Sequence, residues 1–290
     1  MRTEKLQGVI IAIPSPLTAN ENIDIPSLRT LLDHCIDEGA NGVMILGTMG
    51  EGTALLDSEK ELLVEATVAH VNGRIPVLAT ASAASTRASV ENAKAIDKYG
   101  VDYIVCTAPY YYKFPDSESV IQHVERITDA IEKPLIFYNA SLYTGNPVRT
   151  DTLEQILNMD KVAGIKDSSC NYVNFVELLR RYPDRERRPG TIMQGDESVF
   201  DSSLLMGADG VVSGGGVAFI SLLKQLYAAA SSSNRCSAMA YQRDFFAQLV
   251  ALLSADPQRN WLYRVKKWLV DNQVIADAHV TAPFLTTHDE

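Results

Sequence analysis

Lys166 stands where an apolar run, Val162-Ala163-Gly164-Ile165, passes into the polar stretch Asp167-Ser168-Ser169. An ammonium at the inner end of a buried strand is costly unless it is paired or neutralised, and desolvation lowers its pKa. A neutral lysine amine attacks carbonyl carbon and forms imines. A lysine met in isolation usually snorkels its charge to the surface. Two other segments shift that balance: Gly47-Thr48-Met49-Gly50-Glu51 and Pro134-Leu135-Ile136-Phe137-Tyr138-Asn139. Each also closes an apolar run, and the three together can assemble a Schiff-base site.

Further polar groups collect at the ends of other runs. The glycines of 47–51 permit a tight turn whose backbone amides can face one point as an anion nest, with the Thr48 hydroxyl beside them. Tyr110, Tyr111 and Tyr112 are consecutive, so they cannot all point one way. Tyr138 is a phenol suited to proton transfer, or a core tyrosine tied to backbone. Gln194-Gly195-Asp196-Glu197 and Val212-Ser213-Gly214-Gly215-Gly216 bring glycines that let a ligand approach the backbone. A phosphorylated substrate at these last two loops is a weaker option. His34, His70 and His123 fall in helical patterns and His279 and His288 near the C-terminus, so no pair has zinc-ligand spacing. No metal and no cofactor is expected; an iminium on lysine is then the natural electron sink.

These residues need a scaffold that brings run ends together. Eight β-rich runs follow in order: Gly8–Ile13, Gly42–Leu46, Pro76–Ala81, Tyr103–Ala108, Pro134–Asn139, Val162–Lys166, Thr191–Gly195 and Gly210–Ser213. They are nearly continuously apolar, as in parallel strands buried on both faces. Helical patterns lie between them. Ile25, Leu28, Leu31, Leu32, Cys35 and Ile36 form a stripe closed by Gly39. Ser58-x-x-Glu61 reads as a capping box, and Val120, Ile121, Val124, Ile127 and Ile131 form another stripe. Eight strand–helix repeats predict an α/β fold, a closed (β/α)₈ TIM barrel, over residues 1–222. An open doubly wound sheet would carry G-x-G-x-x-G after an early strand, and none follows the first two. Helical patterns at Leu222–Ala230, Ala238–Leu253 and Trp261–Asn272 predict a C-terminal helical extension, residues 223–290, which can serve oligomerisation.

The bulk numbers exclude other partners. A formal charge of -10 over 290 residues argues against nucleic acid or an anionic membrane. The four cysteines, Cys35, Cys106, Cys170 and Cys236, form no C-x-x-C pair, which favours free thiols and a cytoplasmic location. The apolar run at Gly8–Ile13 is too short for a signal-peptide core, and no later stretch reaches the length of a membrane span.

Gly47-Thr48-x-Gly50-Glu51, Pro109-Tyr110-Tyr111, Tyr138-Asn139 and Gly164-Ile165-Lys166-Asp167-Ser168 occur in order at run ends. On these motifs the chain resembles the dihydrodipicolinate synthase / N-acetylneuraminate lyase family of class I, pyruvate-dependent aldolases, over essentially its whole length. The resemblance implies that Lys166 forms the Schiff base with a 2-oxo acid and that Tyr138 shuttles protons. It implies that Thr48 links Tyr138 to Tyr111 of a partner subunit, and that the Thr48 and Met49 amides hold the pyruvate carboxylate. It also implies a homo-oligomer, dimer or tetramer. Two positions depart from the family pattern. Met49 replaces a hydroxyl residue, and Tyr143 stands in the loop where synthases carry an arginine for the semialdehyde carboxylate. Tyrosine cannot supply a charged bidentate clamp.

The expectation is therefore a lyase that cleaves or forms a 4-hydroxy-2-oxo, sugar-derived acid, with Lys166, Tyr138, Thr48 and Tyr111 catalytic and Met49, Tyr143, Gly195 and Ser213 binding substrate. The alternatives are a 2-keto-3-deoxy sugar acid dehydratase, 4-hydroxy-tetrahydrodipicolinate synthase itself, and a non-catalytic 2-oxo-acid sensor on the same barrel.

Overall fold

The structure, a computed structural model, describes residues 5–114 and 116–284. Among these residues, eight strands follow the expected runs: β1 Gly8–Ala12, β2 Gly42–Ile45, β3 Val77–Thr80, β4 Tyr103–Thr107, β5 Leu135–Asn139, β6 Val162–Asp167, β7 Thr191–Gln194 and β8 Gly210–Ser213. Each pairs in parallel with the next, and β8 pairs with β1, so the sheet closes into the expected barrel. Nearly every strand residue is buried, which is why the runs show no polar alternation.

The helices are α1 Ile25–Asp37, α2 Asp57–Val71, α3 Thr86–Asp97, α4 Glu118–Thr128, the single turn α5 Ser141–Thr144, α6 Thr150–Leu157, α7 Tyr172–Arg181, α8 Phe200–Leu205, α9 Ile220–Ser231, α10 Arg235–Ser254 and α11 Trp261–Asp271. Local signals set most ends. The Asp24 carboxylate caps α1 at the Ser27 amide, 3.2 Å away, and Gly39 at φ +86° stops it. The expected capping box at Ser58 and Glu61 does not form. Leu56 is extended, α2 begins one residue later, and Glu59 accepts from the Leu56 amide at 2.7 Å. Glu61 instead bonds Lys98 and Tyr99, just beyond α3.

One irregularity decides which side chains face the barrel axis. Leu135 pairs with Val162, but Ile136 pairs with Gly164, so Ala163 is an extra residue on β6. A one-residue bulge exchanges the two faces of everything beyond it. Because of it Tyr138 pairs with Lys166 and Asn139 with Asp167. Unbroken register from Leu135–Val162 would have put Lys166 beside Asn139. Gly164 is required at the bulge, since a Cβ there would lie 2.4 Å from the Thr191 carbonyl oxygen.

Helix α9, which contains the expected boundary between 222 and 223, packs on β1 and α8. α10 packs on α8 and α9, and α11 packs on α10 and the turn after β8. The chain then returns across the barrel top. Thr30 donates to the Val274 carbonyl at 2.6 Å, and the Thr281 amide reaches Glu51 at 2.7 Å. No helix among the described residues is long and apolar enough to cross a membrane.

Candidate active site

Lys166 is 5 % exposed at the C-terminal end of β6. Its Nζ lies 3.6 Å from Met44 Sδ and 3.9 Å from the centre of the Tyr138 ring. Among the described residues no carboxylate comes within 4.0 Å of it, unlike the other deeply buried lysine, Lys266. Burial without a close counter-ion holds the amine's pKa down at about 7, against the weaker opposing field of Glu197. A lysine poised near neutrality is a competent nucleophile and also a competent acid.

Tyr138, its cross-strand neighbour, is 4 % exposed. Its phenol is hydrogen-bonded to the side chains of Thr48 and Ser168, and burial pushes its pKa up. Thr48 and Tyr138, which the family resemblance links, are therefore neighbours within one chain. Ser168 was not anticipated. Its signal was its place two residues beyond Lys166, in the loop that β6 delivers to the barrel top. The same hydroxyl explains Gly195: a Cβ at 195 would stand 2.0 Å from Ser168 Oγ and 3.1 Å from Lys166 Cε. Gly195 keeps room beside the amine. Asp167 faces away from Lys166, held by Asn139 Nδ2 at 2.6 Å and by Ser169.

The turn after β2 carries Thr48 and Met49. Among the described residues no backbone carbonyl accepts from either amide, which leaves both for an anion. The Met49 side chain is buried and lies against Gly214, where a Cβ would come within 2.9 Å of its terminal methyl. It is a packing residue, and only its backbone faces the site.

Ser213 requires a correction. Its side chain is fully buried, donates to Glu197 Oε1 at 2.5 Å and accepts from the Gly216 amide at 2.9 Å. Its one hydroxyl proton is committed to Glu197, so the side chain holds that carboxylate and has no proton left to donate to a substrate. The Gly215 amide also donates to Glu197, at 2.9 Å, and the neighbouring amides of Gly214 and Gly216 favour its charge. The amide nest that suggested a phosphate is thus filled by the chain's own carboxylate. Desolvation nonetheless raises the Glu197 pKa above the ordinary carboxylate range, the hydrogen bonds opposing it. Sequence reasoning passed over Glu197 because carboxylates in loops are usually solvated.

Tyr111 is 82 % exposed, with φ +79°, and its ring meets only Tyr112 edge-on at 4.9 Å among described aromatics. It is not brought to Thr48 or Tyr138 within this chain. Tyr143, on α5, is 59 % exposed. With Thr48, Tyr138 and Tyr110 it walls a cavity of about 520 Å³, to which Trp261 and Phe284 of the C-terminal segment also contribute. That volume suits a small metabolite. Lys166 is not itself on the wall; its amine lies over Tyr138. The one cation on the wall, among the described residues, is Lys60, tied to Asp57 at 2.9 Å.

A buried, near-neutral lysine stacked on a phenol at a barrel mouth is the arrangement of an imine-forming enzyme. Comparison with known proteins agrees. The sequence model of the dihydrodipicolinate synthetase family matches residues 5–290. This chain belongs to that family. The 4-hydroxy-tetrahydrodipicolinate synthase of Oceanobacillus iheyensis is 34 % identical over 205 residues, 71 % of this chain and 68 % of that one. The enzyme of the same name from Nitrosomonas eutropha is 29 % identical over 240 residues, 83 % of this chain and 80 % of its own. Among solved structures, the dihydrodipicolinate synthase of Acinetobacter baumannii, complexed with pyruvate, superposes with a TM-score of 0.88 at 28 % identity, covering 98 % of this chain and 94 % of that one. A Clostridium difficile protein in complex with mannosamine shares the fold, with a TM-score of 0.89 at 20 % identity over 98 % of this chain and 95 % of its own. Membership makes this family protein a carbon–carbon lyase of the class I aldolase type.

Proposed function

We propose that the enzyme joins or cleaves pyruvate and an aldehyde at a sugar-derived 4-hydroxy-2-oxo acid, through an imine on Lys166. The observation that carries this reading is the Lys166 amine, buried, without a close carboxylate, and 3.9 Å from the Tyr138 ring centre. The neutral amine adds to the C2 ketone, and loss of the ketone oxygen as water leaves an iminium. In the cleavage direction Tyr138 takes the proton of the C4 hydroxyl. The C3–C4 electron pair flows into the iminium, giving an enamine and a free aldehyde. Protonation of the enamine at C3 and hydrolysis return pyruvate and Lys166. Condensation runs the same steps backwards.

The substrate carboxylate is assigned to the Thr48 and Met49 amides, and no external cofactor enters the scheme. The exposed Tyr111, held at positive φ, is assigned to the site of a second copy, which makes the working form a homodimer or a tetramer built from it. The free cysteines suit a reducing cytosol.

A second reading is 4-hydroxy-tetrahydrodipicolinate synthase, favoured by the names of the relatives. The cavity argues against it. Tyr143 stands in the loop after Tyr138-Asn139, and no arginine lines the described wall. Neutral sugar hydroxyls need hydrogen-bonding partners, which the tyrosines supply; a second carboxylate needs a cation. Dehydration of a 2-keto-3-deoxy acid uses the same iminium and is the nearest alternative outcome.

Borohydride added with pyruvate should reduce the imine and fix one three-carbon unit on Lys166. Comparison of kcat/KM for several 2-keto-3-deoxy sugar acids with that for aspartate semialdehyde then identifies the partner. Trapping without turnover of any of them would make the protein a 2-oxo-acid sensor and end the lyase reading.

A further inference from the structure

Glu51 lies in the turn that carries Thr48 and Met49 and belongs to the cavity lining, yet its carboxylate is turned to the C-terminal segment and away from solvent. Its side chain is fully buried. Oε1 meets the Lys266 ammonium of α11 at 2.5 Å. Oε2 accepts from the Thr281 amide at 2.7 Å and from Thr281 Oγ1 at 2.9 Å. Lys266 is equally buried and gives a further hydrogen bond to the His279 carbonyl at 2.6 Å. Four residues from one active-site turn, one helix and one returning segment thus close on each other out of water.

The backbone at this turn is unusual. Glu51 sits at φ +54° and Leu46, where the turn leaves β2, at φ +59°. Glycine would be the cheap residue at position 51, and the chain has glycine on either side of it, at 50 and 52. Those two are fixed by space. A Cβ at Gly52 would fall 2.0 Å from the Leu46 carbonyl oxygen, and one at Gly50 would fall 2.9 Å from the Leu46 amide nitrogen. Position 51 is where a left-handed backbone is combined with a long charged side chain. Such a conformation persists only where the surroundings over-determine it. Stability alone is a poor reason for the pair, because apolar residues of similar volume often replace a buried ion pair without loss.

We propose that Glu51 is a positioning residue: anchored by Lys266 and Thr281, it holds the turn at 47–52 so that Thr48 Oγ1 meets Tyr138 and the amides of Thr48 and Met49 converge on the substrate carboxylate. The C-terminal segment is then part of the catalytic apparatus. Trp261, Leu262 and Phe284, which wall the cavity beside Thr48, are brought there by the same anchorage. The proposal rests on the assignment of the carboxylate to those amides, and extends it to residues far along the chain.

Two variants test it. Glu51→Gln/Lys266→Met removes both charges together and keeps the volumes, so neither partner is left as an unpaired buried ion. Thr281→Val removes one hydrogen bond and nothing else of size. The readouts are thermal denaturation, kcat and KM for pyruvate, borohydride trapping at saturating pyruvate, and hydrogen exchange of the amides of residues 47–52. In the double variant KM for pyruvate should rise by about tenfold or more, as for a displaced binding group. Trapping at saturation should persist and the amides of 47–52 should exchange faster. Thr281→Val should show the same pattern more weakly, with KM raised about two- to tenfold. A double variant that melts as the wild type does, with KM, kcat and exchange within twofold of it, would overturn the proposal. If the double variant fails to fold, Thr281→Val carries the decision: unchanged KM and exchange overturn, raised KM and faster exchange support. Failure of the wild type to trap pyruvate would reject the lyase reading, while the exchange comparison would still decide whether Glu51 holds the turn.

Discussion

Lys166→Met should make the protein more stable at neutral pH and less able to do anything. The amine's pKa is about 7 in the fold against an ordinary 10.5. Between those values the unfolded chain binds more protons than the folded one, so this group's penalty is largest below about pH 7 and fades as pH rises toward 10.5. A tenfold change in a protonation equilibrium is worth about 1.4 kcal/mol, so burying the amine costs about 4 kcal/mol at pH 7 and less than about 1 kcal/mol at pH 10. Methionine keeps an unbranched apolar stem and omits the ammonium. It leaves a gap of about one heavy atom, worth about 1 kcal/mol. The net gain should be about 3 kcal/mol at pH 7 and near zero at pH 10. Urea denaturation at both pH values, at one fixed protein concentration, measures it through the midpoint and slope. Equal stability of variant and wild type at both pH values would show that the amine is solvated, and the argument for a pre-activated nucleophile would fall with it. The variant must also lose all borohydride-dependent labelling by pyruvate.

Tyr138→Phe should lower kcat by about 10²- to 10⁴-fold, the range for loss of a general acid–base group, while trapping at Lys166 continues at a reduced rate. Glu197→Gln removes the carboxylate whose field raises the Lys166 pKa, so the inflection in the rate of imine formation against pH should move below about 7; an inflection that stays or rises would show that Glu197 is electrostatically silent there. Aspartate semialdehyde should be a poor acceptor by about 10- to 150-fold, the worth of a missing arginine–carboxylate pair, and Tyr143→Phe should impair the sugar-acid substrate where the phenol bonds a hydroxyl. Efficient dihydrodipicolinate formation would reverse that preference. EDTA should leave activity intact; loss restored by a divalent ion would contradict the iminium scheme.

The barrel was legible because buried parallel strands have a plain signature. Eight apolar runs separated by amphipathic stretches left few other folds, and each strand fell within about two residues of its run, as boundary assignments allow. Lys166, Tyr138 and Thr48 were legible as strand-end residues. What brings the first two side by side was not. The extra residue at Ala163 leaves no mark in composition or periodicity, yet it sets Lys166 rather than its neighbour opposite Tyr138. Ser213 was misread because a hydroxyl among glycines looks open to ligand, whereas Glu197 folds onto it from the previous loop. That contact joins two strand ends and cannot be seen in either alone. Tyr111 shows a limit of a different kind. Its ring is exposed to solvent, and nothing in a single chain's sequence says what would cover it.

Lys166 and Lys266 show how one residue type acquires two functions from its surroundings alone. Both ammonium groups lie out of water, and desolvation lowers both pKa values. Lys266 has Glu51 at 2.5 Å and a carbonyl at 2.6 Å, so its charge is answered and the side chain acts as a tether. Lys166 has a thioether and an aromatic face, neither of which can replace an anion. Glu197, whose field reaches Lys166, is instead occupied by the Ser213 hydroxyl and the Gly215 amide. Holding Glu197 back is therefore part of keeping Lys166 neutral. A carboxylate released to within 4 Å of Nζ would restore the ammonium and silence the nucleophile. By engaging Glu197, the Ser213-Gly214-Gly215-Gly216 turn thus denies the lysine a salt bridge.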